Sequence, residues 1–119
     1  MSIDTAASSD VLDIQGCLAR FGGDKQLFVE ITSMLLEDAP RLFSNLSAAV
    51  AAQDAPAIAA TAHALKSVLS NCGGVRTARV AQELEDAGHH RTLANSSKLL
   101  KSLEAELSQL SDAIRAYQA

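Results

Sequence analysis

An apolar stripe runs through the last quarter of the chain. Leu93, Ser96, Leu100, Leu103, Leu107, Leu110, Ile114 and Tyr117 recur at steps of three and four, for about six turns of helix. A stripe of that length on one helix is stable in water only when other helices cover it. The rest of the chain supplies them. Asp24 opens a segment in which Phe28, Ile31, Leu35, Ala39, Leu42, Leu46 and Val50 keep the same rhythm. Pro40 lies inside that segment and should bend it or split it in two, because proline removes a backbone donor and crowds the carbonyl four residues back. Gln53-Asp54-Ala55-Pro56 restarts a helix, with Asp54 as cap and Pro56 in the first turn, where a missing N–H is harmless. This third helix runs to about Cys72, and Gly73-Gly74 stops it. A fourth, roughly Val75 to Ala87, carries Thr77, Val80, Leu84 and Ala87 on one face and ends at Gly88. Ahead of them all, Asp10 can cap a short helix bearing Val11, Ile14 and Leu18, stopped by Phe21-Gly22-Gly23.

Four long amphipathic helices joined by short links predict an all-α fold, an antiparallel four-helix bundle with a short additional N-terminal helix. Residues 10–119 form the bundle, and residues 1–9 are expected to be a flexible N-terminal segment. Composition agrees, since 48% of the 119 residues are hydrophobic but only 3% aromatic, and the chain has two prolines and six glycines. That is too little turn punctuation and too little aromatic surface for a many-stranded sheet.

The net charge of −4 and the lack of a basic face with stacking residues argue against nucleic acid as partner. The N-terminus lacks the basic start and apolar centre of a signal peptide, and no apolar run approaches the roughly 20 residues that span a bilayer. No membrane association is expected, and the location expected is cytoplasmic. Cys17 and Cys72 read as small core residues in a chain of that kind rather than as a disulfide.

Function must come from a residue that the bundle does not need. In the third helix Ile58, Ala62, Leu65, Leu69 and Cys72 point within about 40° of one direction, and His63 points about 140° away from it. His63 is therefore exposed. Ala59 and Ala60 lie one turn before it and Ser67 and Ser70 one and two turns after, a platform of small side chains that lets a second protein approach the ring. Lys66, three residues on, can bring positive charge to a phosphoryl group attached there. His89 and His90 do not read as a metal site, because adjacent side chains diverge on a helix and no Cys or acidic ligand joins them at a usual spacing.

His63-Ala64-Leu65-Lys66-Ser67, with Gly73 ten residues after the histidine, resembles the His-x-Leu-Lys-Gly and downstream Gly motif of histidine-containing phosphotransfer (HPt) domains. Phe21-Gly22-Gly23-Asp24 is similar to the Gly-Gly-Asp that opens the family's long helix, and Glu37-Asp38-Ala39-Pro40 to its acidic-Ala-Pro bend. Gly88 falls where the helix after the motif usually ends. The resemblance implies a four-helix bundle whose exposed histidine relays a phosphoryl group between receiver-domain aspartates in a two-component pathway, here through His63 Nε2. It implies no kinase activity and no bound cofactor in this chain, with the required Mg²⁺ on the partner receiver. The partners implied are response-regulator receiver domains and hybrid sensor histidine kinases. They would meet the His63 face, with Ala59, Ala60, Ala64, Ser67 and Ser70 giving contact area, together with the exposed part of the first helix.

Four positions depart from the family pattern. Ser67 stands where Gly is most frequent, and would either crowd the ring or give the phosphoryl oxygens a hydroxyl. Val68 replaces a common Ser or Ala, His89 falls where many members carry a basic residue, and Glu85 where several have Gln or another polar group that braces the imidazole. Two other functions stay open on the residues alone, a catalytically silent adaptor and a substrate domain of a chemotaxis-type kinase. The initiating Met and complete bundle favour a free-standing shuttle, and a monomer is expected.

Overall fold

The computed structural model describes residues 11–118; the Asp10 cap and the segment 1–9 lie outside the described residues. Helix α1 spans Ile14–Arg20, α2 Lys25–Ala51, α3 Ala55–Asn71, α4 Val75–His90 and α5 Ser96–Gln118, with a 3₁₀ turn at Leu93–Asn95. Helices α2 to α5 form the antiparallel bundle, α2 and α4 each packing between α3 and α5, and α1 closes one end.

Local chemistry places most of the helix starts. The Asp24 carboxylate accepts from Leu27 N at 3.0 Å and the Asp54 carboxylate from Ala57 N at 3.2 Å, so each satisfies a backbone donor that its helix leaves unpaired. Helix α1 starts later than the sequence suggests. Its cap is Asp13, which accepts from Gly16 N at 3.0 Å, and Val11 and Leu12 precede it as buried residues. Pro40 does not split α2, which runs unbroken through it.

The core holds the predicted stripes. Phe28, Leu35, Leu46, Ile58, Leu65, Leu69, Leu84, Leu103, Leu110 and Ile114 are fully buried, and truncating any one of the leucines to Ala would cost about 2–5 kcal/mol. The Tyr117 ring meets Phe28 edge-on at 5.1 Å and 87°, so the end of α5 is pinned to the start of α2. Cys17 and Cys72 are free and buried, their thiols donating to Asn71 O and Ile31 O. Burial pushes the Cys72 thiol up to about 11, which keeps it protonated and inert.

Two glycines set the positions of helices. Gly73 follows α3 with φ +80°, and its carbonyl accepts from Asp13 N at 2.9 Å. A Cβ there would lie 2.8 Å from Asp13 O, so only glycine lets the start of α1 dock on the α3–α4 turn. Gly88 is not the helix stop that its position suggested. It lies inside α4, where a Cβ would come 2.6 Å from Ala59 N and 2.8 Å from Ala55 O. Glycine there brings the backbones of α3 and α4 together one turn from His63, and α4 continues to His90.

Candidate functional site

His63 projects from the middle of α3 with 59% of its side chain exposed. Its Nδ1 lies 3.0 Å from Oε2 of Glu85, a residue of α4 whose side chain is only 10% exposed. The other carboxylate oxygen, Oε1, lies 2.9 Å from Lys66 Nζ, in an ion pair rather than an aligned hydrogen bond. Lys66 Nζ also donates to Gln82 Oε1 at 2.8 Å, and Gln82 Nε2 donates in turn to Asp86 Oδ1 at 2.8 Å. His89, one turn after Glu85, brings Nε2 to 3.4 Å from the same Oε2 that holds His63.

The buried carboxylate organises this cluster. The Lys66 ammonium holds Glu85 below the usual carboxylate range, with help from hydrogen bonds to His63 and His89 and against the opposing effect of burial. An ionised carboxylate has only lone pairs to offer, so Nδ1 of His63 must supply the proton between them. In the neutral ring that proton fixes the tautomer, and the remaining lone pair is on Nε2. No protein group among the described residues hydrogen-bonds Nε2, and the ring faces solvent.

The other expected site residues divide. Ala60, Ala64, Ser67 and Ser70 are exposed around the ring. Ala59 is not part of an open platform, being 6% exposed beneath Gly88. The Ser67 hydroxyl donates to His63 O at 3.1 Å, a bond within its own helix that turns it away from the ring. Glu85 is a buried partner of the histidine, at the position where the resemblance places a bracing polar group. Helix α1 comes close to the same face, since Arg20 Nη1 donates to Ser70 O at 2.9 Å.

Gln82 and Arg91 escaped the sequence reading. Gln82, Glu85 and His89 fall at steps of three and four on α4, a polar stripe that could have signalled a shared partner on a neighbouring helix. Arg91 lines one groove together with His63, Glu85 and His89. Among the described residues no group of three or more His, Cys, Asp or Glu side chains is arranged to hold a metal ion, and no helix is long and apolar enough to cross a membrane.

A helical bundle presenting a solvent-facing imidazole, braced from behind by a carboxylate, has the geometry to carry a group on histidine. The Hpt domain family matches residues 30–113, and the chain belongs to that family. Its function is accordingly histidine phosphotransfer in a phosphorelay. The fold is shared with histidine-containing phosphotransfer protein B (HptB) of Pseudomonas aeruginosa PAO1, at a TM-score of 0.83 and 24% identity over 90% of this chain and 93% of that one. No curated protein sequence matches the chain significantly.

Proposed function

We propose that His63 is the phosphoacceptor, and that it accepts its phosphoryl group from the aspartate of one receiver domain and delivers it to the aspartate of another. The observation that carries this reading is the contact between Nδ1 and the buried Glu85 carboxylate, with Nε2 left to solvent. The Nε2 lone pair attacks phosphorus. The P–O bond to the donor aspartate breaks, its electron pair leaves on the carboxylate, and an N–P bond forms. Positive charge that develops on the ring is met by Glu85 at Nδ1, so the bracing group strengthens as the reaction proceeds. Delivery to the second aspartate is the same displacement in reverse. Lys66, one turn away, keeps Glu85 ionised by pairing with it, and the Mg²⁺ that transfer requires sits on the receiver. This division suits a site that supplies position and electrostatics and no metal of its own.

The docking face in this proposal consists of Ala60, Ala64, Ser67 and Ser70 around the ring, with the exposed side of α1 beside them. Small side chains there let a receiver's acidic pocket close on His63, and hybrid sensor kinases enter through their own receiver domains. The chain acts as a monomer. The test is incubation with a panel of phosphorylated receivers and Mg²⁺, followed by assay for an acid-labile, base-stable phosphoryl group. Wild type should gain that label and His63→Gln should not. A label that survives in His63→Gln, or no label from any receiver, contradicts the reading; the latter leaves a silent adaptor or, if a kinase and ATP then label the chain, a kinase substrate domain.

A further inference from the structure

We propose that Arg91 is the second cation of the phosphoryl site, its guanidinium binding the phosphoryl group carried on His63 Nε2. This rests on His63 being the acceptor. Three observations lead to it.

The first is charge. A phosphoryl group brings nearly two negative charges at neutral pH, and Lys66 is the cation one would assign to it. Yet Lys66 Nζ is 2.9 Å from Glu85 Oε1, 25% exposed, and also bonded to Gln82. Its charge and that of Glu85 cancel, so the cluster behind the ring offers the phosphoryl oxygens little net attraction. Arg91 is in the same groove as His63 and makes no ion pair among the described residues.

The second is the backbone. Helix α4 ends in a turn where Arg91 N donates to Gly88 O at 3.3 Å and Thr92 N to Ala87 O at 3.0 Å, which requires the left-handed conformation at Arg91, φ 56° and ψ 33°. Glycine is the usual residue for that turn and a side chain there is strained. Gln53 takes the same conformation at the end of α2, but Arg91 alone does so beside His63, and no side-chain hydrogen bond or ion pair to another described residue occupies its guanidinium.

The third is reach. Gly88 brings the end of α4 against Ala59, one turn before His63 on α3, so Arg91 leaves its helix on the ring's own side of the bundle. A planar guanidinium with a long stem can offer two N–H donors to phosphoryl oxygens from there.

The experiment uses the isolated chain and phosphoramidate as donor, which removes the receiver from the measurement. Nε2 attacks phosphorus, the donor P–N bond breaks, and ammonia leaves after taking a proton from solvent. Arg91→Gly should slow labelling of His63 about three- to tenfold, Arg91→Lys should recover part of that loss, and Arg91→Gly should raise the Tm by about 2–5 °C as the strain is relieved. An Arg91→Gly rate within about twofold of wild type overturns the proposal. So does a lowered Tm in Arg91→Gly, which would make Arg91 an anchor of the fold. If wild-type His63 takes no label from phosphoramidate, the same variants are compared with a phosphorylated receiver and Mg²⁺; no label on His63 there means that the acceptor reading itself has failed, whereas normal labelling that ignores Arg91 removes only this inference.

Discussion

Two clusters of nearly the same composition bridge neighbouring helices. Between α4 and α5, Arg76 Nε donates to Glu106 Oε1 at 2.7 Å and Nη2 to Gln109 Oε1 at 2.6 Å. Between α3 and α4, Lys66 joins Glu85 and Gln82 at 2.9 and 2.8 Å. Each has a cation, a carboxylate and an amide. The Glu106 side chain is 23% exposed, and among the described residues the cluster holds two helices together without an imidazole beside it. Glu85 is more deeply buried, and its Oε2 faces two imidazoles, at 3.0 and 3.4 Å. What separates the two is burial and aim: the same kind of ion pair can brace an exposed histidine once its carboxylate is desolvated and its spare oxygen points at the ring.

The change expected to disturb this contrast most is Gly88→Ala. Alanine is the better helix former by about 1 kcal/mol, so an isolated α4 would gain stability from it. In the bundle the new methyl meets the backbone of Ala55 and Ala59, and the bundle should lose about 2–3 kcal/mol in denaturant titration. Helix α4 must stand off α3, stretching the His63–Glu85 contact while leaving Arg76 on Glu106. A stabilised Gly88→Ala protein would mean that the two backbones do not touch.

Next in size are the two carboxylates themselves. Glu85→Ala should lower the rate of His63 phosphorylation about tenfold, since it frees the ring to rotate and removes the acceptor that selects the tautomer. Glu85→Gln, which keeps an acceptor oxygen at Nδ1, should retain more of the rate. Glu106→Ala should leave the rate unchanged and reduce stability by about 0.5–1 kcal/mol. Equal rates for Glu85→Ala and Glu106→Ala would make the two clusters equivalent and remove the distinction drawn between them.

The smallest effect is on acid stability. Glu85 is held below the usual carboxylate range, first of all by Lys66, so its ionised form favours the folded state above the ordinary glutamate value of about 4.3. That contribution is lost as pH falls from there through the lower value Glu85 has in the bundle. The Tm of wild type should therefore fall more than that of Glu85→Gln between pH 5 and the acid limit. Parallel curves would show that the carboxylate gains nothing from its partners.

Much of the fold was legible because its determinants are local. The three-and-four rhythm of Phe28 to Val50 and of Leu100 to Tyr117 marks core faces, and Asp24 and Asp54 mark helix starts by chemistry that needs no tertiary contact. The exposed placement of His63 followed from helical geometry alone. Asp13 as the first cap was harder, since Asp10 satisfies the same local rule. Gly88 was misread because a glycine that ends a helix and one that admits a neighbouring backbone look alike in sequence; only the approach of Ala59 separates them. The burial of Glu85 and the pairing of Lys66 depend on the register of α4 against α3, which no single helix encodes. Arg91 was invisible for the opposite reason, because its left-handed turn occurs at a residue type that does not announce it.

In the mechanism proposed above, Glu85 holds the Nδ1 proton of His63 and so leaves Nε2 to take the phosphoryl group. Imidazole ¹⁵N–¹H correlation spectra of the histidine-labelled protein, recorded before and after reaction with phosphoramidate, test it directly. Neutral His63 should carry its proton on Nδ1, and phosphorus should appear on Nε2 of His63. A ring protonated on Nε2, or a phosphoryl group found on Nδ1 or on His89 or His90 in place of His63, would contradict it.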